Sequence, residues 1–216
     1  LIIGLVMGFL RASRRFFARL FAGIYVELIR NIPPLVLIFI FYYFISSQIM
    51  PLLGVDAWIR SRSESTQAMV GLFFASPQQL STFLSALVTL ALFEGAYITE
   101  IVRSGIQSVD KGQWEASSAL GFNRRQQMGH VILPQAARIA LPPLAGQFIS
   151  TIKDSAIVSV ISIQELTFQG MELMAATYLT FEVWITVTAL YLVLTLSCSL
   201  AVERLEMYMG RSIGAS

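Results

Sequence analysis

Long apolar runs, separated by shorter polar or basic stretches, set the pattern of this 216-residue chain. Crossing a bilayer as a helix takes roughly 20 apolar residues. By that measure residues 32–53, 82–102, 139–163 and 183–202 each predict a span, and Leu1–Leu10 predicts the end of an earlier one, about five in all. The chain opens inside an apolar run, so further residues are expected ahead of Leu1. Asn31 is placed to cap the second span, whose first turn carries Pro33 and Pro34. Pro142 and Pro143 predict a kink or a re-start early in the fourth. Gly4 and Gly8 permit close helix packing in the first.

Composition agrees. Only 13% of residues are charged, and 56% are hydrophobic. A soluble domain carries about 25% charged residues to cover its surface, so lipid is the expected solvent of this chain. The single cysteine, Cys198, cannot form an internal disulfide and reads as a small packing residue.

Basic residues orient the spans. Segment 11–31 holds Arg11, Arg14, Arg15, Arg19 and Arg30; segment 103–138 holds Arg103, Lys111, Arg124, Arg125 and Arg138; the tail adds Arg204 and Arg211. The intervening segments hold only Arg60 and Arg62, both in 46–80, and 164–182 has none. The bias places 103–138 and the C-terminus in the cytoplasm, and 46–80 and 164–182 outside. The arginine-rich stretch Arg11–Leu20 suits an interfacial helix or contact with anionic membrane lipid, beyond its topological signal. Glu27 and Arg30 are spaced to pair.

Between the third and fourth spans lies "EASSALGFNRRQQMGHVILP", Glu115–Pro134. Asp110 is a helix cap, with Gln113 set as in a capping box. The helix it starts carries Trp114, Glu115, Ala116, Ala119 and Leu120, and Gly121 fits the position just past its end. Asn123 with Gln126 repeats the start signal, and a second helix runs toward Pro134. Ala116, Ala119 and Leu120 make a small, smooth face with Trp114 and Glu115 beside it. Such a face suits insertion into a groove of another protein; a solvated linker is the alternative.

Ionisable residues inside spans are costly and mark function. Glu94 lies roughly 17 Å along the third span, where a carboxylate can face an ammonium group or accept a hydrogen bond from a neighbouring helix. Gln147, Thr151 and Asp154 form one stripe on the fourth span, flanked by Ser150 and Lys153, which lines a polar path or glues helices together. Glu100 and Arg103 are spaced for a local ion pair.

Glu115-Ala116-Ser117, three residues, Gly121, nine residues, Val131-Ile132-Leu133-Pro134 resembles the Glu-Ala-Ala, Gly, Ile-x-Leu-Pro signature of permease subunits of ATP-binding-cassette importers. Ser117 and Val131 are conservative departures from it. Tyr25–Phe44, Phe93–Val109, Leu133–Leu166 and Val187–Leu194 are similar to the polar amino-acid branch, and Arg30–Pro34, "RNIPP", leans toward its general amino-acid transporters. The resemblance implies an all-α membrane protein, 1–216 being one transmembrane domain of a bacterial cytoplasmic (inner) membrane. Its loop, 108–134, would be a coupling loop whose helix docks on a cytoplasmic ATPase. It also implies ABC ATPase subunits, a second permease subunit, identical or homologous, and an extracytoplasmic amino-acid-binding protein as partners.

The chain has no phosphate-loop motif, so no cofactor is expected in it, and ATP and Mg belong to the partner ATPase. No catalytic residue, metal ligand or nucleic-acid partner is expected. An intramembrane enzyme fares badly, since the lone histidine, His130, lies in the loop and no hydrolase or metalloprotease motif occurs. A stand-alone secondary transporter or a channel for small polar solutes is the remaining alternative. Inverted repeats would mark a secondary transporter, and none is visible.

Overall fold

The computed structural model describes residues 1–211, and among them there is no strand. The helices are α1 (Ile2–Ala12), α2 (Phe16–Asn31), α3 (Pro34–Leu53), α4 (Val55–Arg60), α5 (Glu64–Phe73), α6 (Leu80–Gln107), α7 (Lys111–Ala119), α8 (Arg124–Ile161), α9 (Leu166–Thr177) and α10 (Thr180–Arg211). Among the described residues, four stretches are long and apolar enough to cross a membrane: α3, α6, α8 and Thr180–Arg204 of α10. The fifth expected span is the shorter apolar α1. The chain is an all-α membrane protein.

Two prolines shape the spans by a common device. Proline lacks the N–H that would bond the carbonyl four residues back, and its ring crowds that carbonyl. Ahead of Pro51 the helix widens to a π-turn, Ile45–Ile49, and the Met50 N–H donates to the Ile45 carbonyl. Ahead of Pro134 a second π-turn, Gln127–Ile132, ends with the Leu133 N–H donating to the Met128 carbonyl. The wider turn makes room for the ring and lets the helix continue. This corrects the expected boundary at residue 139: the helix begun at Arg124 does not stop at Pro134 but runs to Ile161. It also passes through Pro142 and Pro143 without a re-start. Asn31 ends α2, and the cap of α3 is Pro33, which has no side chain able to bond the free N–H groups.

The chain divides into two compact units. Unit 1 holds residues 1–30, 94–154 and the chain from Thr188. Its core is Ile98, Val102, Ile106 and Val109 of α6 against Ile132 and Ala136 of α8. Gly4 and Gly8 of α1 lie on α6; a Cβ on Gly8 would sit 2.6 Å from the Val102 Cβ. A Cβ on Gly105 would sit 2.9 Å from the Ala140 Cβ and 3.0 Å from the Ala136 carbonyl oxygen. That second contact is backbone and cannot yield. Gly105→Leu is therefore expected to destabilise the chain by about 3 kcal/mol or more, the upper range for overpacking, read as a fall in melting temperature in detergent; an unchanged melt would show that α6 and α8 are not closely packed there.

Unit 2 holds 31–93 and 155–187. Its core joins Ile38 of α3, Ala86 of α6, and Val158 and Ile161 of α8. The expected outer segments are helical here. Segment 46–80 carries α4 and α5, and 164–182 carries α9. Glu165 caps α9, its carboxylate accepting from Thr167 N at 2.8 Å and Phe168 N at 2.7 Å, which gives this acid a structural role.

Candidate functional site

Two regions of unit 1 concentrate polar chemistry. The first is α7 and its corner. The Asp110 carboxylate accepts from Gly112 N at 2.6 Å, as its capping position requires. Gln113 does not complete a capping box; its amide oxygen instead accepts from Gln135 Nε2 at 3.1 Å, tying α7 to α8. At the other end Phe122 N donates to Ser117 O and Gly121 N to Ser118 O, the two bonds of a Schellman closure. Gly121 takes φ +80°, a left-handed conformation that costs other residues roughly 1–2 kcal/mol. Asn123 then opens α8: its side chain accepts from Arg125 N and Gln126 N at 3.1 Å, and its own N–H donates to Gln126 Oε1 at 2.9 Å. Helix, corner and second helix are thus each held by local hydrogen bonds.

The side chains sort into two sets. Glu115, Ala116, Ala119 and Leu120 are exposed, Leu120 at 75%. Trp114 is turned inward. It packs half-buried against the α6/α8 core, and the Arg124 guanidinium lies 5.8 Å above its ring. Trp114 therefore anchors the helix rather than presenting it. Ser117 is 2% exposed and donates to the Trp114 carbonyl at 3.0 Å. Burial explains why a small residue stands at this motif position, which sequence reasoning registered only as a departure from alanine. The result is a short helix fastened along one side, with a small-residue face left bare.

The second region surrounds Glu94 of α6, which is 5% exposed. Its Oε2 accepts from Gln147 Nε2 and from Thr151 Oγ1, each at 2.8 Å. Thr151 Oγ1 also lies 2.9 Å from the Gln147 carbonyl. Asp154, exposed at the end of the regular α-helical part of α8, brings its carboxyl beside that of Glu94. Ser150 is half-buried on the same helix, and Lys153 is exposed. The predicted stripe on α8 and the carboxylate on α6 thus meet. Glu94 Oε1 is buried without a hydrogen-bond partner among the described residues, and a native polar atom left so calls for an explanation.

Glu100 and Arg103 form the expected pair, at 2.8 Å. Sequence reasoning missed the third member, Arg11 of α1, whose Nε lies 2.5 Å from Glu100 Oε1 and whose Nη2 lies 3.3 Å from Glu27. Glu27 is thus engaged by Arg11 rather than by Arg30, which lies over the Tyr97 ring.

Comparison with known proteins completes the assignment. A family profile described as "Binding-protein-dependent transport system inner membrane component" matches residues 1–211. A probable glutamine ABC transporter permease, GlnM of Bacillus subtilis, is 37% identical over 87% of this chain and 74% of its own length. The glutamine transport system permease GlnP of Escherichia coli K12 is 35% identical over 97% and 84%. The arginine ABC transporter permease ArtQ of Escherichia coli K12 is 31% identical over 86% and 76%. Among solved structures, a chain from a crystal structure of an amino acid ABC transporter with histidines superposes with a TM-score of 0.72 at 33% identity, over 96% of this chain and 86% of that one. Spans, loop motif and relatives agree, and the chain belongs to the binding-protein-dependent transport system inner membrane components, the permease family of ABC transporters.

Proposed function

We propose that this chain is the permease subunit of an ATP-driven importer of polar amino acids. It forms the translocation path by alternating access, together with a second permease subunit that is identical or homologous. The observation that carries the reading is α7, held down by Trp114 and Gln113, closed at Gly121, and bare at Ala116 and Ala119. A helix anchored on one side and smooth on the other transmits a push across a contact. Loop 108–134 is the coupling loop of a single transmembrane domain, 1–216, and it docks on a cytoplasmic ATPase that holds ATP and Mg. Glu94, Gln147, Ser150, Thr151 and Asp154 line the substrate path. Carboxylates there complement the ammonium group of an amino acid, and the substrates named for the relatives, glutamine and arginine, are of that class. An amino-acid-binding protein delivers substrate on the outer face.

Purifying the chain from its native membrane and identifying the companions by mass spectrometry tests this reading. An ATPase subunit and substrate-stimulated hydrolysis are expected. Recovery of a chain that transports amino acid with no ATPase present would overturn it.

The proposed orientation puts α7 and the C-terminus in the cytoplasm and Glu172 of α9 outside. In a Cys198→Ser background, an impermeant thiol reagent on intact cells is expected to label Glu172→Cys and not Leu120→Cys. Leu120 serves better than Gly121 as the reporter because its backbone is an ordinary one, φ −74°. The opposite labelling pattern would reverse the orientation.

A further inference from the structure

Along α2, unit 1 holds a groove of about 650 Å³ that neither region above uses. Phe16, Arg19, Leu20, Ile24 and Leu28 line it, one face of a helix at i, i+3, i+4, i+8 and i+12, and all are exposed. Arg103 and Gln107 of α6 form the facing wall. Beside them runs the ion cluster in which Arg11 and Arg103 meet Glu100 and Arg11 meets Glu27. Two acids there offset Arg11 and Arg103. Arg19 forms no ion pair among the described residues, nor do Arg14 and Arg15, exposed in the turn just before α2. The groove therefore has a positive surplus at one end and an apolar stripe beyond it.

A small anion would satisfy the guanidinium groups and leave Leu20, Ile24 and Leu28 bare. A neutral lipid would cover the stripe and leave the guanidinium groups without a counter-charge. In a chain that spans a membrane, the molecule with both complements is an anionic phospholipid. We propose that this groove binds one, with its phosphate against Arg19 and an acyl chain along Leu20, Ile24 and Leu28. Guanidinium suits phosphate by its forked donors, and basic residues beside a membrane draw anionic headgroups. The site rests on membrane embedding and not on the coupling role of α7, so the two succeed or fail separately.

The test uses the chain purified with its native subunits and placed in nanodiscs of phosphatidylcholine with graded phosphatidylglycerol. Bound lipid is counted by native mass spectrometry. Phosphatidylglycerol is expected to be retained over phosphatidylcholine. Arg19→Gln is expected to cut that retention about fivefold, the equivalent of ~1 kcal/mol for one arginine at an anionic surface, while Arg19→Lys, which keeps the charge and loses the fork, falls between the two. Ile24→Ser is expected to weaken phosphatidylglycerol retention as well, because the tail contact is lost. Equal retention of the two lipids by the unaltered protein would overturn the proposal, and this comparison stands even if a variant fails to assemble. Undiminished retention in Arg19→Gln would also overturn it, as would inorganic phosphate displacing the lipid at millimolar concentration, which would mark a plain phosphate site.

Discussion

Ala116→Trp is expected to strip the ATPase from the solubilised complex while leaving the permease itself folded. Ala116 is exposed on α7 and touches none of the core that holds the helix, so an indole there has nothing to disturb within the chain. Against a packed partner surface it overpacks, at roughly 1–3 kcal/mol, enough to lower retention about fivefold to more than a hundredfold. Trp114→Ala is the contrasting variant. It removes the anchor rather than the contact, so the melting temperature of the permease falls together with ATPase retention. Gly121→Val acts in a third way. At φ +80° a β-branched residue is strained by at least ~1–2 kcal/mol, and the Schellman closure that sets the angle between α7 and α8 opens. Subunits are then expected to stay partly associated while hydrolysis no longer tracks transport. Glu115→Lys is expected to damage coupling more than Glu115→Gln, because it reverses any charge pairing at the rim. Co-purification, melting temperature and substrate-stimulated hydrolysis of each variant separate the three outcomes. If ATPase co-purification and substrate-stimulated hydrolysis are normal in every variant, α7 is a linker, whatever Trp114→Ala does to the melting temperature.

The corner was legible because its signals are local. Asp110, Gly121 and the Asn123–Gln126 box each act within three or four residues, and the structure shows each making the cap its position implies. The spans were legible for a similar reason, since a run of apolar side chains needs no knowledge of its partner. Contacts between distant segments were not legible. Glu94 meets Gln147 and Thr151 across separations of 53 and 57 residues, and helical spacing put the latter two on one stripe without saying what faced it. Arg11 carries a topological signal within a stretch suited to the membrane interface, and nothing in its spacing shows that it closes on Glu27 and Glu100 of two other helices. The continuity of α8 was hidden because Pro134 ordinarily signals an end. Whether a π-turn absorbs the ring depends on how the preceding turn packs, and Ile132, fully buried there, belongs to the core rather than to a loop.

Glu94→Gln is expected to abolish or strongly impair transport while the complex still assembles and still hydrolyses ATP. The amide oxygen of the new glutamine can accept from Gln147 Nε2 and Thr151 Oγ1 as Glu94 Oε2 now does. Its NH2 group then occupies the place of Oε1, which has no donor to lose, and the adjacent Asp154 carboxyl offers an acceptor. Shape and hydrogen bonding survive, and only the negative charge goes. Glu94→Leu removes the acceptor too. Thr151 retains its bond to the Gln147 carbonyl, but the Gln147 amide is left without its Glu94 acceptor, at about 1–3 kcal/mol for an unmet polar group. That variant is expected to lower the melting temperature as well as transport. The difference between the two decides the role of the residue. If the carboxylate only joins α6 to α8, Glu94→Gln transports normally and Glu94→Leu is unstable. If it complements a substrate ammonium group, transport fails in both, and only Glu94→Leu loses stability. Uptake of glutamine and of arginine into proteoliposomes, alongside melting curves, distinguishes the cases; normal uptake of both by Glu94→Gln would remove Glu94 from the path.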